Sequence, residues 1–388
     1  MTTTKNNIPA GYKDSAVGII PQEWEVATLG KLVSITSGES PSLFNRRNIG
    51  KYPYIKVEDM NNCEKYQSFS REYTDDERCA IPKGSIIFPK RGAAIINNKV
   101  RIANCALYMD SNMMAITPND LACGDYLYFK IIHEQLFKIA DTSTIPQINN
   151  KHIIPYKISL PPMAEQKKIA EILEIWDEAI EKQNLLIEKL ELRKRALMQR
   201  LLTGKTRLHG FTEPWQKVKL GEIAQIKKGK SLTYQYVKCG IYPVIAGGKD
   251  SPYSHNEYTD ENVVTISASG AYAGYISYYP HKIWASDCSV VKEMHTKSNI
   301  IFLYNLLLYN QVYIYSLQVG GAQPHVFPKD IERIKLLCPS LSEQKAIAEV
   351  LSTADKEIAI HSKTLDALRL QKRGLMQQLL TGKTRVKI

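Results

Sequence analysis

Stepping alternately by four and three residues from Ile169 collects Ile169, Leu173, Trp176, Ile180, Gln183, Ile187, Leu190, Lys194, Leu197 and Leu201. The same steps from Ile347 collect Ile347, Leu351, Ala354, Ile358, His361, Leu365, Leu368, Lys372, Leu375 and Leu379. Eight of the ten positions in each row are apolar, and the polar exceptions fall at matching places. An apolar stripe recurring every 3.5 residues belongs to a coiled coil, whereas a helix lying on a sheet shows a broader face. The pattern predicts two helices of about 38 residues, each roughly 57 Å long at 1.5 Å per residue. Pro162 and Pro339 stand upstream, where a helix can begin, and Gly204 and Gly382 follow the last seam leucines as stops.

The two rows are part of a longer repetition. Residues 165–207 and 343–385 align in a constant register of 178 positions. Each module before a helix opens on a matching tryptophan: Trp24-Glu-Val-Ala-Thr-Leu-Gly answers Trp215-Gln-Lys-Val-Lys-Leu-Gly, and both run on to a glycine, Gly38 and Gly229. Between tryptophan and helix the period changes. Ile86-Ile-Phe-Pro-Lys-Arg-Gly matches Val264-Thr-Ile-Ser-Ala-Ser-Gly, a β-branched run ending in a glycine loop, which reads as a buried strand and a turn. Thr144–Ile153 matches Ala322–Ile331, and helical stretches are expected near 124–139 and 298–318. The first module is 13 residues longer between its tryptophan and the Glu that opens its helix, mostly inside 57–85.

The fold expected is α+β: two similar globular modules separated by two long antiparallel coiled-coil helices, with an internal pseudo-twofold repeat. The boundaries fall at 1–160 for the first module, 161–204 for the central helix, 205–338 for the second module and 339–384 for the last helix. Charge sets the antiparallel sense. Residues 165–181 hold six acidic and two basic residues, the same helix then turns basic, and the second helix repeats that polarity. Antiparallel pairing faces each acidic half with a basic half and agrees with the macrodipoles. With midpoints aligned, Gln183 faces His361, either as a buried polar layer that fixes register or as two exposed residues at the seam edge.

At 388 residues the chain can hold two domains, and no run approaches 18 apolar residues, so no membrane span is expected. The polar opening MTTTKNNIPAGYKDS lacks the apolar core of a signal peptide, and seven scattered cysteines suggest neither a disulfide framework nor a zinc site. A reducing cytoplasm fits. The net charge of +12 is concentrated: residues 182–230 carry 13 Lys/Arg against 4 Asp/Glu, and 363–388 carry 7 against 1. Such a balance favours a polyanion such as nucleic acid, although basic residues also complement helix C-termini.

Thr203-Gly-Lys-Thr and Thr381-Gly-Lys-Thr look like the end of a phosphate loop, but each closes a helix instead of opening one, and Gln199 and Gln377 stand where the first glycine belongs. No cofactor turn, zinc-protease motif or nucleophile elbow is present, and the chain reads as non-catalytic, without a metal site. The candidates for DNA contact are Lys90, Arg91 and Gly92, with Lys99 and Arg101 beyond them, in the first module. In the second they are Lys227, Lys228, Lys230, Ser269, Gly270 and Tyr272. Arginine can grip guanine through two hydrogen bonds, and glycine lets a backbone approach a groove. A solvated loop tip is the alternative.

The repeated P-x-x-x-E-Q-K-x-I-A-E-x-L entry (Pro161 to Leu173, Pro339 to Leu351) and the L-L-T-G-K-T-R exit make the chain resemble the specificity subunit of type I restriction–modification systems over essentially its full length. The resemblance implies two target recognition domains, each binding one half of a split, asymmetric site in double-stranded DNA. It implies helices that act as a ruler and dock two methyltransferase (modification) subunits. Those subunits would carry S-adenosylmethionine and methylate adenine, while motor-nuclease subunits would use ATP and magnesium. Alternatives are the specificity subunit of a related two-part restriction system, or a coiled-coil scaffold whose modules bind protein.

Overall fold

The structure, a computed structural model, describes residues 8–248, 251 and 253–388; residues 1–7, the start of the polar N-terminal stretch, lie outside it. The chain forms two compact units, residues 1–182 with 365–388, and residues 183–364. This partition differs from one drawn at helix ends, because each helix packs its halves in different units.

In the first unit, strand β1 (Val33–Ser37) pairs antiparallel with β3 (Met113–Pro118), and β3 pairs antiparallel with β2 (Ile86–Pro89). Arg101–Ala103 and Tyr66–Gln67 complete a five-stranded sheet. Every residue of β2 is buried because both faces are covered. Ile86 and Phe88 join Met114 and Ile116 against helix α1 (Gly124–Glu134), while Ile87 joins Met113 and Ala115 over a second, four-stranded sheet. That is the period of two expected of a strand.

The second unit repeats this plan. Strand β4 (Ala224–Lys228) pairs with β6 (Cys288–Glu293), which pairs with β5 (Val263–Ser267), all antiparallel. Val264, Ile266 and Val291 face helix α3 (Ile300–Tyr309), and Val263, Cys288 and Val290 face a smaller sheet. The insertion in the first module supplies the strand Tyr66–Gln67, which has no counterpart among the described residues here, whereas Tyr73–Thr74, paired with Tyr52–Pro53, is matched by Ser254–His255, paired with Tyr242–Pro243.

The long helices are α2 (Met163–Leu201) and α4 (Leu341–Leu379), each of 39 residues. All twenty seam positions are buried or half-buried: Leu173, Leu351 and Leu365 are buried, and Trp176, Ile180, Ile187 and Ile358 are half-buried. The helices run antiparallel within each unit. In the first, Leu375 and Leu379 pack into the cluster that holds Ile169 and Leu173. In the second, Leu201 shares a cluster with Ile347 and Leu351. The two seam lysines are matched: Lys372 pairs with Asp177 and Lys194 with Asp355, an interaction repeated 178 positions on. Gln183 Nε2 lies 2.9 Å from His361 Nδ1 and donates to the His361 carbonyl at 2.9 Å, forming a half-buried polar layer.

The signature motifs at the helix ends have a shared physical role. Glu165, fully buried, accepts from Trp24 Nε1 at 2.9 Å and from Arg385 Nε and guanidinium NH2 at 2.7 and 2.9 Å. Glu343 accepts from Trp215 Nε1 at 3.1 Å and from Arg207 at 2.6 and 2.7 Å. The glutamate that begins one helix is thus clamped by the arginine that ends the other. The adjacent Gln166 and Gln344 accept from the backbone N–H of Cys123 and Asn299, the residues preceding α1 and α3, and so tie each module to its helix. Gly204 and Gly382 adopt φ of +68° and +72°, the left-handed turn that stops a helix, so the Thr-Gly-Lys-Thr segments are helix caps.

Candidate nucleic-acid interface

At one end of the first unit's central sheet four chain segments converge. They follow β1 (Gly38–Ser40), follow β2 (Lys90–Gly92), precede β3 (Asp110–Asn112) and lie at 141–148. Backbone hydrogen bonds lock them. Gly38 N–H donates to Met113 O at 3.0 Å, Lys90 N–H to Asn112 O at 2.8 Å, Gly92 N–H to Pro146 O at 2.9 Å and Ile148 N–H to Lys90 O at 2.9 Å. Asp141 and Gln147 exchange a reciprocal pair at 2.9 and 3.0 Å.

The second unit has the same five connections. Gly229 N–H donates to Cys288 O, Ala268 N–H to Asp287 O, Gly270 N–H to Pro324 O and Val326 N–H to Ala268 O, while Val319 and His325 exchange a pair. Gly38 and Gly229 are obligatory: a Cβ on Gly38 would collide with the carbonyl of Asp110, and one on Gly229 with that of Ser286. Gly92 and Gly270, at φ +83° and +78°, turn the chain out of the strand.

The frame is shared and the side chains on it differ. In the first unit Arg91 is exposed and Lys90 half-buried. Burial pushes the Lys90 ammonium below its usual range, and the neighbouring Arg91 charge pushes it further, so the loop gains from a nearby anion. Lys99 and Arg101 are not part of this frame. Lys99 Nζ donates to Asn61 Oδ1 at 2.6 Å, and the Arg101 guanidinium donates to the carbonyls of Cys63 and Val100, so both hold the insertion.

In the second unit Ser269 donates to Asp287, and Gly270 opens the helical turn that carries Tyr272. Lys230 leaves the edge strand with its ammonium 5.1 Å from the Trp284 ring centroid. Lys228 is exposed, while Lys227 is paired at 2.6 Å with the buried Asp260. Sequence reasoning missed the fourth segment's part in the frame, Asp141–Ile148 and Val319–Val326. The signal present was the match of Thr144–Ile153 to Ala322–Ile331, with Pro146 answering Pro324.

Among the described residues no cluster of His, Cys, Asp and Glu could hold a metal ion, and no helix is long and apolar enough to cross a membrane. The two modules share one frame and carry different side chains, exposed or half-buried, on its matched loops. A family model described as type I restriction modification DNA specificity domain matches the chain twice, over residues 21–192 and 212–370, and the chain belongs to that family.

The type I restriction enzyme MjaVIII specificity subunit of Methanocaldococcus jannaschii is 26% identical over 95% of this chain and 94% of its own length. The MjaIX specificity subunit of the same organism is 24% identical over 97% and 96%. The crystal structure of a type I restriction–modification S subunit from M. genitalium matches with a TM-score of 0.62 over 98% of both chains at 20% identity, a likeness of fold.

Proposed function

We propose that this chain is the non-catalytic, DNA-reading subunit of a type I restriction–modification complex, and that it recognises an asymmetric site in two parts. The observation that carries the reading is the four-segment frame built twice with unlike side chains: Lys90 and Arg91 in one unit stand where Ala268 and Ser269 stand in the other. Equal frames meet equal features of a duplex; unlike side chains select unlike bases. The helix pair docks two modification subunits, which supply S-adenosylmethionine and methylate adenine, and motor-nuclease subunits use ATP and magnesium. The setting is the cytoplasm, where chromosomal and incoming DNA are both accessible.

Phosphate contacts supply most of the affinity, so binding weakens steeply with salt, with a log–log slope of about −0.9 for each phosphate neutralised. The test is selection of binding sites from a random duplex pool by the purified chain, alone and with its modification subunit. A bipartite, non-palindromic motif bound in a salt-dependent way is expected. A palindromic motif, no motif, or salt-independent binding refutes the reading.

A further inference from the structure

Within the recognition frame, one position in each unit pairs two residues that belong to different segments. Arg91 is bridged antiparallel to Gln147, and Ser269 to His325. Residues directly opposite in an antiparallel pair project side chains to the same face, about 4.5–5.5 Å apart. That spacing suits neighbouring bases, which follow one another every 3.4 Å along a strand. Arg91 is exposed and Gln147 half-buried, and neither side chain has a hydrogen-bond partner among the described residues. Each therefore carries its full donor and acceptor capacity on a rigid backbone.

The second unit's pair is differently equipped. The Ser269 hydroxyl is already given to Asp287, and the His325 ring is stacked on Phe327 with centroids 6.1 Å apart.

We infer that Arg91 and Gln147 are the paired purine readers of the first unit's half-site, and that Ser269 and His325 occupy the corresponding place in the second. The inference rests on the proposed function and deepens it. Arg91 presents two parallel N–H groups to O6 and N7 of guanine, and Gln147 presents its amide to N6 and N7 of adenine. One half-site thus contains a guanine and an adenine at neighbouring steps, read in the major groove. Asp141, bridged to the other side of Gln147, is not a reader, since its Oδ1 accepts from Ser143 N–H at 3.0 Å and closes the turn. In the second unit a serine already bonded and a histidine with one free edge give weaker selection at the equivalent step. Lys90, beside the pair, serves phosphate, and its loss weakens all sequences alike.

The test is site selection from a random duplex pool by the full chain with its modification subunit, comparing wild type with Arg91→Ala, Gln147→Ala and the exchange Arg91→Ser with Gln147→His. The last pair of side chains already exists on the same frame in the other unit, so that variant guards against misfolding. Arg91→Ala should relax preference at one guanine, and Gln147→Ala at one adjacent adenine, each by roughly 5- to 150-fold. The half-site read by the second unit should be unchanged in every variant, which reports that the chain is folded and assembled.

A bipartite motif that keeps both purine preferences in these variants, or that changes in the other half, overturns the inference while the proposed function stands. Failure of the wild-type complex to select any motif overturns the proposed function itself.

Discussion

Arg385→Ala removes the cation from a carboxylate that water cannot reach. Glu165 is fully buried and receives three N–H groups, two of them from Arg385. The pair holds the Arg385 guanidinium in its charged form far above its usual range, through the bonds to Glu165 and then to Glu23. Without the arginine, Trp24 Nε1 alone remains, and an uncompensated buried charge costs about 3–5 kcal/mol. The first unit has roughly 200 residues, so each kcal/mol moves its midpoint by about 2–4 °C, and the expected loss is about 6–20 °C. Thermal unfolding followed by tryptophan fluorescence reads this directly, because the Trp24 indole is part of the clamp.

The companion Glu165→Met/Arg385→Met removes both charges and should recover most of the loss, since well-packed apolar replacements of a buried ion pair are often neutral or better. Arg207→Ala should behave like Arg385→Ala in the other unit, acting through Glu343. A drop of less than about 2 °C in Arg385→Ala, equivalent to under 1 kcal/mol, refutes the reasoning.

Replacing the seam layer with Gln183→Leu/His361→Leu should raise the melting temperature, by about 1 kcal/mol of stability or more, while loosening the register of the helix pair. Cysteine cross-linking at offset seam positions checks the second effect, and an unchanged or lower melting temperature counts against the layer's cost. Burial alone would raise the carboxyl of Glu134, yet the neighbouring His133 ring, the Lys130 ammonium at 3.0 Å and the Tyr156 hydroxyl, which donates to it at 3.1 Å, hold it at about 2. Its stabilisation is complete above the ordinary value of 4.5 and is lost as pH falls from there toward 2, on the order of 3 kcal/mol in all. Acid titration of stability should therefore be flatter over that window in Glu134→Gln, and equal slopes would remove the assignment. Lys65 sits with its ammonium 2.7 Å from Glu174 on α2 and within 4.8–5.3 Å of the Tyr66, Tyr128 and Phe129 ring centroids. Lys65→Met should free the insertion 57–85, at a cost of about 1–2 kcal/mol, seen as faster hydrogen exchange there while the second unit is unaffected.

What could be read from the sequence was periodic or repeated. The seam of Leu173, Ile187, Leu351 and Leu365 announces itself because 3.5-residue spacing has no other cause, and the charge reversal along each helix fixes the antiparallel sense. The strand at Ile86 is legible because burial on both faces leaves an uninterrupted apolar run, and the one at Val264 by its β-branched residues in the matched place. What could not be read is closure between distant segments. Nothing local to Glu165 names Arg385, 220 positions away, as its partner. Nor does the run Lys90-Arg91-Gly92 disclose that residues 146–148 lie against it. Nor does the sequence local to Lys99 and Arg101 name their partners, Asn61 and the Cys63 carbonyl, which lie in an insertion whose path is set by strand pairing.

The division of labour between the two ends of each module follows from this chemistry. The helix-side end is fixed by buried polar groups, a glutamate, a glutamine and a tryptophan N–H, whose partners are specified to within a hydrogen bond. Changing any one strands another in a dry environment, so that end tolerates little variation. The opposite end is held by backbone hydrogen bonds and by glycines at positive φ, none of which depends on the identity of Arg91, Gln147, Ser269 or His325. Side chains there can be exchanged at little cost to folding, because each is at least partly in water and leaves nothing buried unpaired. Sequence preference can therefore drift in one module without disturbing the clamp, and two copies of a single frame can come to read different bases.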